Sequence, residues 1–544
     1  MIKEYEIENK EISLVEESGK NKYGQYFTPK IVADFMVGLA EITPESKILE
    51  PSSGQGVFLD ILYNKGYKNI IAYEIDTELD GNKYNFVRHE SFVSAKVSEK
   101  FDLIIGNPPY IRWKNLEPEL KEELSNNTLW NKYFNSLCDY LYIFILKSIE
   151  ILNDNGQLIF ICPEYWMNTT HSISLRNYMV ENGYFKEIYH FNETPIFNNA
   201  TVSVVVFKYI KSKTKPKEIS VTKYYKNKVL NNNILLELKD IHTKNSNIEK
   251  FSVPQFVKNK RWLLTNQNEI ELINSFEKAC STKIEVSQDL FNHSKNATFP
   301  TIGDKCDIGN GMVSGLDKAF QLKGQELTEF EKSKTIKVIK AKNLEPFIYN
   351  DITKYIFTND IKLESDFKEK CPNFYNKLIL QKEKLDKRYQ YNRDINYWEW
   401  VFLRNFNLFN SKKPRIFVPC KERISNKDYF RFTYVEAGIF PTQDVTAIFK
   451  KESTKESLYY ILSYLNNHRI FTWLKNKGIV KGNIVEFSEK PISSIPFREI
   501  NWSNEKEVLY HNEITILSKT YIIEKEDLIL DKINDLFDKL LLKK

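Results

Sequence analysis

Phe101-Asp102-Leu103-Ile104-Ile105-Gly106-Asn107-Pro108-Pro109-Tyr110 is an apolar run closed by Gly, Asn and two prolines. Four or five apolar residues bounded in this way predict a buried parallel strand whose C-terminal end opens into a loop. In an open α/β sheet that end is where ligands bind. Both prolines fix φ and lack an N–H, so the carbonyls around them are held stiffly and are free to face something other than a ladder partner. Asn107 adds an amide oxygen and Tyr110 a flat ring. An amide oxygen, a rigid carbonyl and an aromatic face can together grip a planar amino group such as that of adenine. A plain strand-to-turn junction has the same local sequence, so the neighbouring stretches decide.

Upstream, Lys47-Ile48-Leu49-Glu50-Pro51-Ser52-Ser53-Gly54-Gln55-Gly56-Val57-Phe58-Leu59 predicts a short strand, a small-residue loop and a helix. Gly54 and Gly56 allow close backbone approach to a ligand, and Glu50 ends the strand in a carboxylate. A second strand, Ile70-Ile71-Ala72-Tyr73-Glu74-Ile75-Asp76, ends in acids, the position that receives ribose hydroxyls in such folds. The missing third glycine, and a carboxylate that would repel a pyrophosphate, favour a nucleoside with a cationic or amino-acid tail over a dinucleotide. Tyr23-Gly24-Gln25-Tyr26-Phe27-Thr28-Pro29 precedes an amphipathic segment, with Thr28 as expected N-cap and Pro29 as first helical residue. The same exposed turn could instead offer N–H groups and a hydroxyl to an anionic group. Arg88-His89-Glu90-Ser91-Phe92-Val93 supplies a polar side chain and an aromatic that could clasp the edge and face of a base.

Downstream, residues 113–130 are polar and aromatic and predict a loop or short helices over the site. Residues 139–155 predict an amphipathic helix ended by Asn155-Gly156. Apolar strands are expected at 157–163, 187–191 and 201–210, with a helix near 175–181. The sum is an α/β fold: a doubly wound, Rossmann-like, mostly parallel sheet of about seven strands with helices on both faces. Residues 208–249 are rich in Lys and Asn and read as a transition. Beyond them basic and aromatic residues alternate and βαβ units disappear, which predicts a mixed α+β domain. Ile514, Leu517, Tyr521, Leu528, Ile533 and Phe537 at helical spacing predict packing helices at the C-terminus. The expected division is a first domain at 1–250, a second at 251–500 and a helical segment at 501–544 packed on the second.

A chain of 544 residues suits two or three domains. No apolar run reaches membrane-span length, and Met1-Ile2-Lys3-Glu4-Tyr5 lacks the apolar core of a signal peptide, so a soluble cytoplasmic protein is expected. The six cysteines form no Cys-x-x-Cys pair and the seven histidines are scattered, so no protein-bound metal is predicted. A net charge of +6 permits a polyanionic partner without demanding one.

These motifs, in this order, resemble the γ-class amino-methyltransferases of DNA, of the TaqI and Eco57I-like type. The matching pieces are Tyr26-Phe27-Thr28-Pro29, Glu50 to Gly56, Glu74-Ile75-Asp76, Asn107-Pro108-Pro109-Tyr110, Ile161-Cys162-Pro163-Glu164-Tyr165-Trp166 and Ile196-Phe197-Asn198-Asn199-Ala200. The second half adds Ile308 to Phe320, Leu465-Asn466-Asn467 and Ile495-Pro496, so the likeness spans nearly the whole chain. It implies a class I S-adenosylmethionine-dependent methyltransferase domain followed by a target-recognition domain, acting on the N6 amino group of an adenine flipped out of duplex DNA. By the same resemblance Thr28, Pro51, Ser53 and the loop from Gly54 to Gly56 hold the methionine end of the cofactor, with Glu50 near its ammonium. Glu74 and Ile75 meet the ribose and Phe92 packs on the adenine. The family has Asp just before that Phe; here it is Ser91, with Glu90 one place earlier, and either could contact the amino group. Asn107, itself beside the cofactor, and the Pro108 carbonyl accept from the target amine, while Tyr110 and Phe197 stack on the base. Arg388, Arg393, Lys413, Arg415, Lys421, Arg423 and Gln443 are candidate DNA contacts. The implied setting is a bacterial, nucleoid-associated monomer, either an orphan methylase or one paired with a separately encoded restriction endonuclease. Rival readings are N4-cytosine, RNA or protein-glutamine methylation, and a non-catalytic DNA-binding subunit keeping the fold.

Overall fold

Alternate residues of one strand serve two cores. In β4 (Phe101–Gly106), Leu103 and Ile105 pack with α1 (Lys30–Val37) and α2 (Val57–Asn64), while Ile104 packs with α5 (Leu141–Glu150) on the opposite face. A strand covered on both faces is apolar wherever it is buried, which is why Leu103 to Ile105 lack alternation; Asp102, near the strand's start, is only half-buried. The computed structural model describes residues 25–79, 84–197, 203–226, 230–281, 299–390, 393–425, 427–481 and 483–541. It divides into two compact units, Met1–Gln267 and Asn268–Lys544. Tyr23, Gly24 and residues 198–201 of the sequence motifs lie outside the described residues.

The first unit is built on β1 (Ile48–Glu50), β2 (Ile70–Tyr73), β3 (Val87–Arg88), β4, β5 (Leu152–Pro163), β6 (Tyr184–His190), β7 (Val204–Ile210), β8 (Glu218–Tyr224) and β9 (Ile248–Pro254). Their order is β3-β2-β1-β4-β5-β7-β6-β8-β9. Strands from β3 to β5 run parallel, and β7 is antiparallel to both β5 and β6. The order reverses between β1 and β4, so a crevice opens at their carboxyl ends. Short helices α3 (Pro118–Asn126) and α4 (Thr128–Tyr133) follow β4, and α6 (Ile173–Asn182) joins β5 to β6.

Three sequence expectations change. The sheet has two strands beyond the expected seven, β8 and β9, because Ile219 and Val221 alternate with exposed Glu218 and Ser220 inside the stretch read as a transition. For the same reason the first unit extends past residue 250. Strand β9 pairs with β8, and Trp262 stacks on Phe256 at 4.4 Å and 6° in the same core. Finally, α5 ends at Glu150 rather than at Asn155-Gly156. Asn155 has φ +63° inside β5, where pairing with β4 slips between Phe101 and Leu103, so the Asn-Gly pair bends a strand.

The second unit holds the sheets β10-β17-β13-β15, β12-β11-β16 and β14-β19-β18. These comprise β10 (Cys306–Asn310), β11 (Thr335–Ile339), β12 (Thr353–Ile356), β13 (Arg415–Pro419), β14 (Lys421–Arg423), β15 (Thr433–Val435), β16 (Ile439–Pro441), β17 (Val445–Lys450), β18 (Ile479–Lys481) and β19 (Ile484–Glu486). Two helices, Glu505–Glu524 and Asp527–Leu541, bury Ile514, Ile533 and Phe537 in the core of this unit; Leu528 of the same periodicity is exposed. Among the described residues no helix is long and apolar enough to cross a membrane.

Trp262→Ala is expected to destabilise the first unit by about 3–5 kcal/mol, as a large buried aromatic does on truncation. Urea unfolding of the full chain checks this through the midpoint of the affected transition.

Candidate active site

A cleft of about 800 Å³ opens at the carboxyl ends of β1, β2 and β4. Thr28, Glu50, Pro51, Ser53, Gly54, Glu74, Ile75, Ser91, Phe92 and Asn107 all line it. Gly56 does not line it. It caps α2 at φ +79°, and Gly54 beside it stands at φ +52°, conformations that let the loop turn without a Cβ penalty. Glu74 braces the loop: its carboxylate accepts from Gly54 N at 2.6 Å and from Asp76 N at 2.9 Å. Burial raises its pKa despite those bonds.

Glu50 is different. It is 1% exposed, and its Oε2 has no hydrogen-bond partner among the described residues; the Ser53 hydroxyl nearby is unpaired too. Burial, reinforced by the negative charges of Glu74 and Asp60, drives the Glu50 pKa well above its ordinary value. A buried carboxyl without a cation is a waiting site for a positively charged group.

At the end of β4 the Asn107 carboxamide has one permitted orientation. Its Nδ2 donates to the Tyr26 carbonyl at 2.6 Å and to Thr28 Oγ1 at 3.0 Å. A backbone carbonyl can only accept, so Oδ1 must point the other way, where it accepts from the Tyr110 hydroxyl. That hydroxyl also reaches the Ile161 carbonyl at 3.3 Å, and burial raises its pKa well above the phenol range. Ser52 Oγ donates to the Asn107 carbonyl at 3.2 Å, tying the loop after β1 to the loop after β4. Tyr26 stacks on Tyr110 with centroids 5.4 Å apart, and Phe197 lies 5.6 Å from Tyr26 and 6.4 Å from Tyr110. Thr28 is therefore no helix cap: Pro29 occupies that position without a side-chain bond, and the threonine hydroxyl serves Asn107.

The far end of the cleft is formed by Ser91, Phe92, Leu120, Tyr140 and Phe144. Glu90 is exposed, and the cleft lining takes Ser91 instead. From behind, Lys147 of α5 donates to the carbonyls of Phe92, Val93 and Ala95 and lies 4.8 Å from the Phe92 ring centre. Burial lowers its pKa to about 8.

The structure thus gathers every expected cofactor residue except Gly56 around one cleft, with Pro108, Tyr110 and Phe197 adjoining through Asn107 and Tyr26. Tyr26 and Tyr140 were missed as site residues. Tyr26 lies in a motif whose other members were noticed, whereas no local signal marks Tyr140. Two of the proposed DNA contacts fail. Arg388 is buried and donates to the carbonyls of Leu385, Ser314, Glu399, Asn396 and Tyr397. Arg415 is buried and donates to the carbonyls of Phe409, Ser411 and Lys413. Their guanidinium donors are committed to loops of the second unit. Arg393, Lys413, Lys421, Arg423 and Gln443 are exposed; Lys413 pairs with Glu452, and Arg393 lies over the Phe402 ring at 4.2 Å.

The family described as Eco57I restriction-modification methylase matches residues 40–197. The Type II methyltransferase M.HindII of Haemophilus influenzae is 45% identical over 97% of this chain and 99% of its own length. The chain belongs to the Type II methyltransferases. M.HincII of the same species is 42% identical over the same shares of both chains. Among solved structures, the Type IIL restriction-modification enzyme MmeI in complex with DNA has the same fold, with a TM-score of 0.60 and 12% identity over 95% of this chain and 73% of that one. As a Type II restriction-modification methyltransferase the chain is a DNA-modifying enzyme. Family and fold imply S-adenosylmethionine as methyl donor, and the residues fit it. The unpaired Glu50 carboxyl and Ser53 hydroxyl suit its amino-acid end, Glu74 suits a ribose, and the Phe92 end suits a base.

A ligand ammonium settling on Glu50 replaces the proton that the raised pKa retains there. Cofactor binding at mildly acidic pH is therefore expected to release a proton, measured by calorimetry in buffers of different ionisation enthalpy. Glu50→Gln should abolish the release; a buffer-independent enthalpy for the unaltered protein would contradict it.

Proposed function

We propose that this methyltransferase transfers the S-adenosylmethionine methyl group to the N6 amino group of an adenine everted from duplex DNA. The observation that carries the reading is the imposed direction of the Asn107 amide: a carboxamide oxygen, beside a proline-stiffened carbonyl, at the rim of the cofactor cleft. The first unit then performs the chemistry, and the second, with its C-terminal helices, reads the target sequence.

An exocyclic amine conjugated to a purine is a poor nucleophile because its lone pair is delocalised into the ring. Asn107 Oδ1 and the Pro108 carbonyl, each accepting one N–H, draw the hydrogens out of the ring plane and free the lone pair. When bound, the cofactor supplies an electrophilic methyl on a sulfonium. The Asn107 acceptor is covered by the Tyr110 hydroxyl, which already leans toward the Ile161 carbonyl. The entering amine takes its place, and the hydroxyl keeps a partner throughout. The rings of Tyr110 and Phe197 offset part of the unstacking cost of a few kcal/mol that eversion from the duplex carries. Asn107 is neutral at every pH, so it positions the amine without taking its proton; the methylated nitrogen, left with one proton too many and strongly acidic, sheds it to water.

Asn107→Ala is expected to lower the transfer rate by roughly 10²–10³-fold or more, a larger loss than that in cofactor affinity, which also falls because Asn107 lines the cleft and holds Tyr26 and Thr28. Nucleoside mass spectrometry of DNA modified by the unaltered enzyme should show N6-methyladenine; N4-methylcytosine would refute the base assignment. Thr28→Val removes one of the two acceptors that hold the Asn107 amide and should cost about tenfold in kcat, the size of one neutral hydrogen bond of about 1.4 kcal/mol.

A further inference from the structure

Two side chains at the far end of the cleft are left unexplained by the transfer chemistry. Tyr140, the residue before α5, lines the cleft, and its hydroxyl donates to Glu123 Oε2 of α3 at 3.1 Å with Ser91 beside it. The other oxygen of that carboxylate, Glu123 Oε1, is buried and has no hydrogen-bond partner among the described residues. The pair is held from both sides. Tyr140 N donates to the Ile111 carbonyl at 2.9 Å, and Asn127, which follows α3, donates from Nδ2 to the Val93 carbonyl at 3.1 Å.

Around this pair the wall is apolar, made by Phe92, Leu120 and Phe144, with the two rings 5.5 Å apart and tilted by 44°. Such a slot takes the face of a base, and its edge then meets only the hydroxyls of Ser91 and Tyr140 among the side chains of that end. Ser91 Oγ already accepts from Val93 N at 3.2 Å. Tyr140 has given its single hydrogen to a carboxylate, so its oxygen is left as an acceptor, with the Ser91 hydroxyl beside it on one lone pair and the other open to a ligand edge, and it is strengthened by the negative partner behind it. To turn the hydroxyl round and donate to the ligand would strip Glu123 of its one donor while its other oxygen is already unpaired, which is a heavy cost in a buried place.

We propose that Tyr140 and Glu123 form the specificity pair for the 6-amino group of the cofactor's adenine: Tyr140 accepts its N–H, and Glu123 prevents the phenol from reversing to welcome a 6-oxo purine. The inference rests on the S-adenosylmethionine reading above and deepens it, since the strand-end loop contributes only a hydroxyl at this edge. Neither residue takes part in methyl transfer. Both set which nucleoside fits.

The test is binding by calorimetry of two unreactive ligands, S-adenosylhomocysteine and S-inosylhomocysteine, which differ along one edge of the base: a 6-amino donor with an N1 acceptor in the first, a 6-oxo acceptor with an N1–H donor in the second. The unaltered protein should prefer the adenosyl ligand strongly. Tyr140→Phe should weaken the adenosyl ligand roughly tenfold and leave the inosyl ligand where it was, which also shows that the pocket is folded. Glu123→Gln, whose amide can donate as well as accept, should let the phenol reverse and so tighten the inosyl ligand. An unchanged preference in both variants would overturn the proposal, as would a parallel loss of both ligands, the mark of a merely structural role. If the unaltered protein binds neither ligand, the cofactor reading itself fails and this inference falls with it.

Discussion

The two hydrogen bonds from Asn107 Nδ2, to the Tyr26 carbonyl and to Thr28 Oγ1, are the constraint on which the active-site arrangement depends. They join the turn before α1 to the end of β4 across some eighty residues of chain, and they decide which end of a nearly symmetric amide faces the rim of the cleft. A side chain with a donor at one end and an acceptor at the other is only useful if it cannot flip. Here the backbone carbonyl removes the choice, because no rotation or tautomer turns it into a donor. Ser52 adds a third tie, through the Asn107 carbonyl, between the loops after β1 and β4.

Around that amide the cleft sorts its polar groups by whether they are satisfied. Glu74 is buried yet occupied by two backbone N–H groups, so it acts as a brace for the glycine loop. Glu50 is buried and left with an oxygen that nothing fills, a state that costs about 1–3 kcal/mol per unpaired group. The protein tolerates that cost at the rim of its cleft because a cation can relieve it. Lys147 inverts the pattern on the opposite wall: a buried ammonium spends its donors on three carbonyls of one loop and thereby fixes the Phe92 ring from behind.

Much of this was legible one residue at a time. The Asn-Pro-Pro-Tyr strand end, the Gly54 loop and the acid after β2 each carry a chemical reason for their residue types, and all three meet at one cleft. The misreadings share a cause. Arg388 and Arg415 read as surface cations because their neighbours are polar and aromatic, and only the folded chain shows backbone carbonyls converging on each guanidinium. Asn155-Gly156 carries the same local preference for positive φ whether it ends a helix or bends a strand, and the slipped pairing of β5 on β4 made it the second. Strand β8 was hidden by the polar Glu218 and Ser220 on its exposed face, and β9 by a mix of charged and polar residues along its length.

The amino-acid sequence by itself determined the class of fold, the strands β1, β2, β4 and β5 and the residue types of the site, but neither the short β3 nor the order of the strands in the sheet. Hydrophobic runs, glycines and prolines act over a few residues, and those effects survive without the rest of the chain. What only the tertiary structure decided is direction and partnership: that Thr28 serves an amide rather than a helix, that Glu90 looks outward while Ser91 lines the cleft, and that Tyr140 finds Glu123. Hydrogen bonds between residues far apart in the chain depend on where the backbone finally lies, and no local pattern encodes that placement.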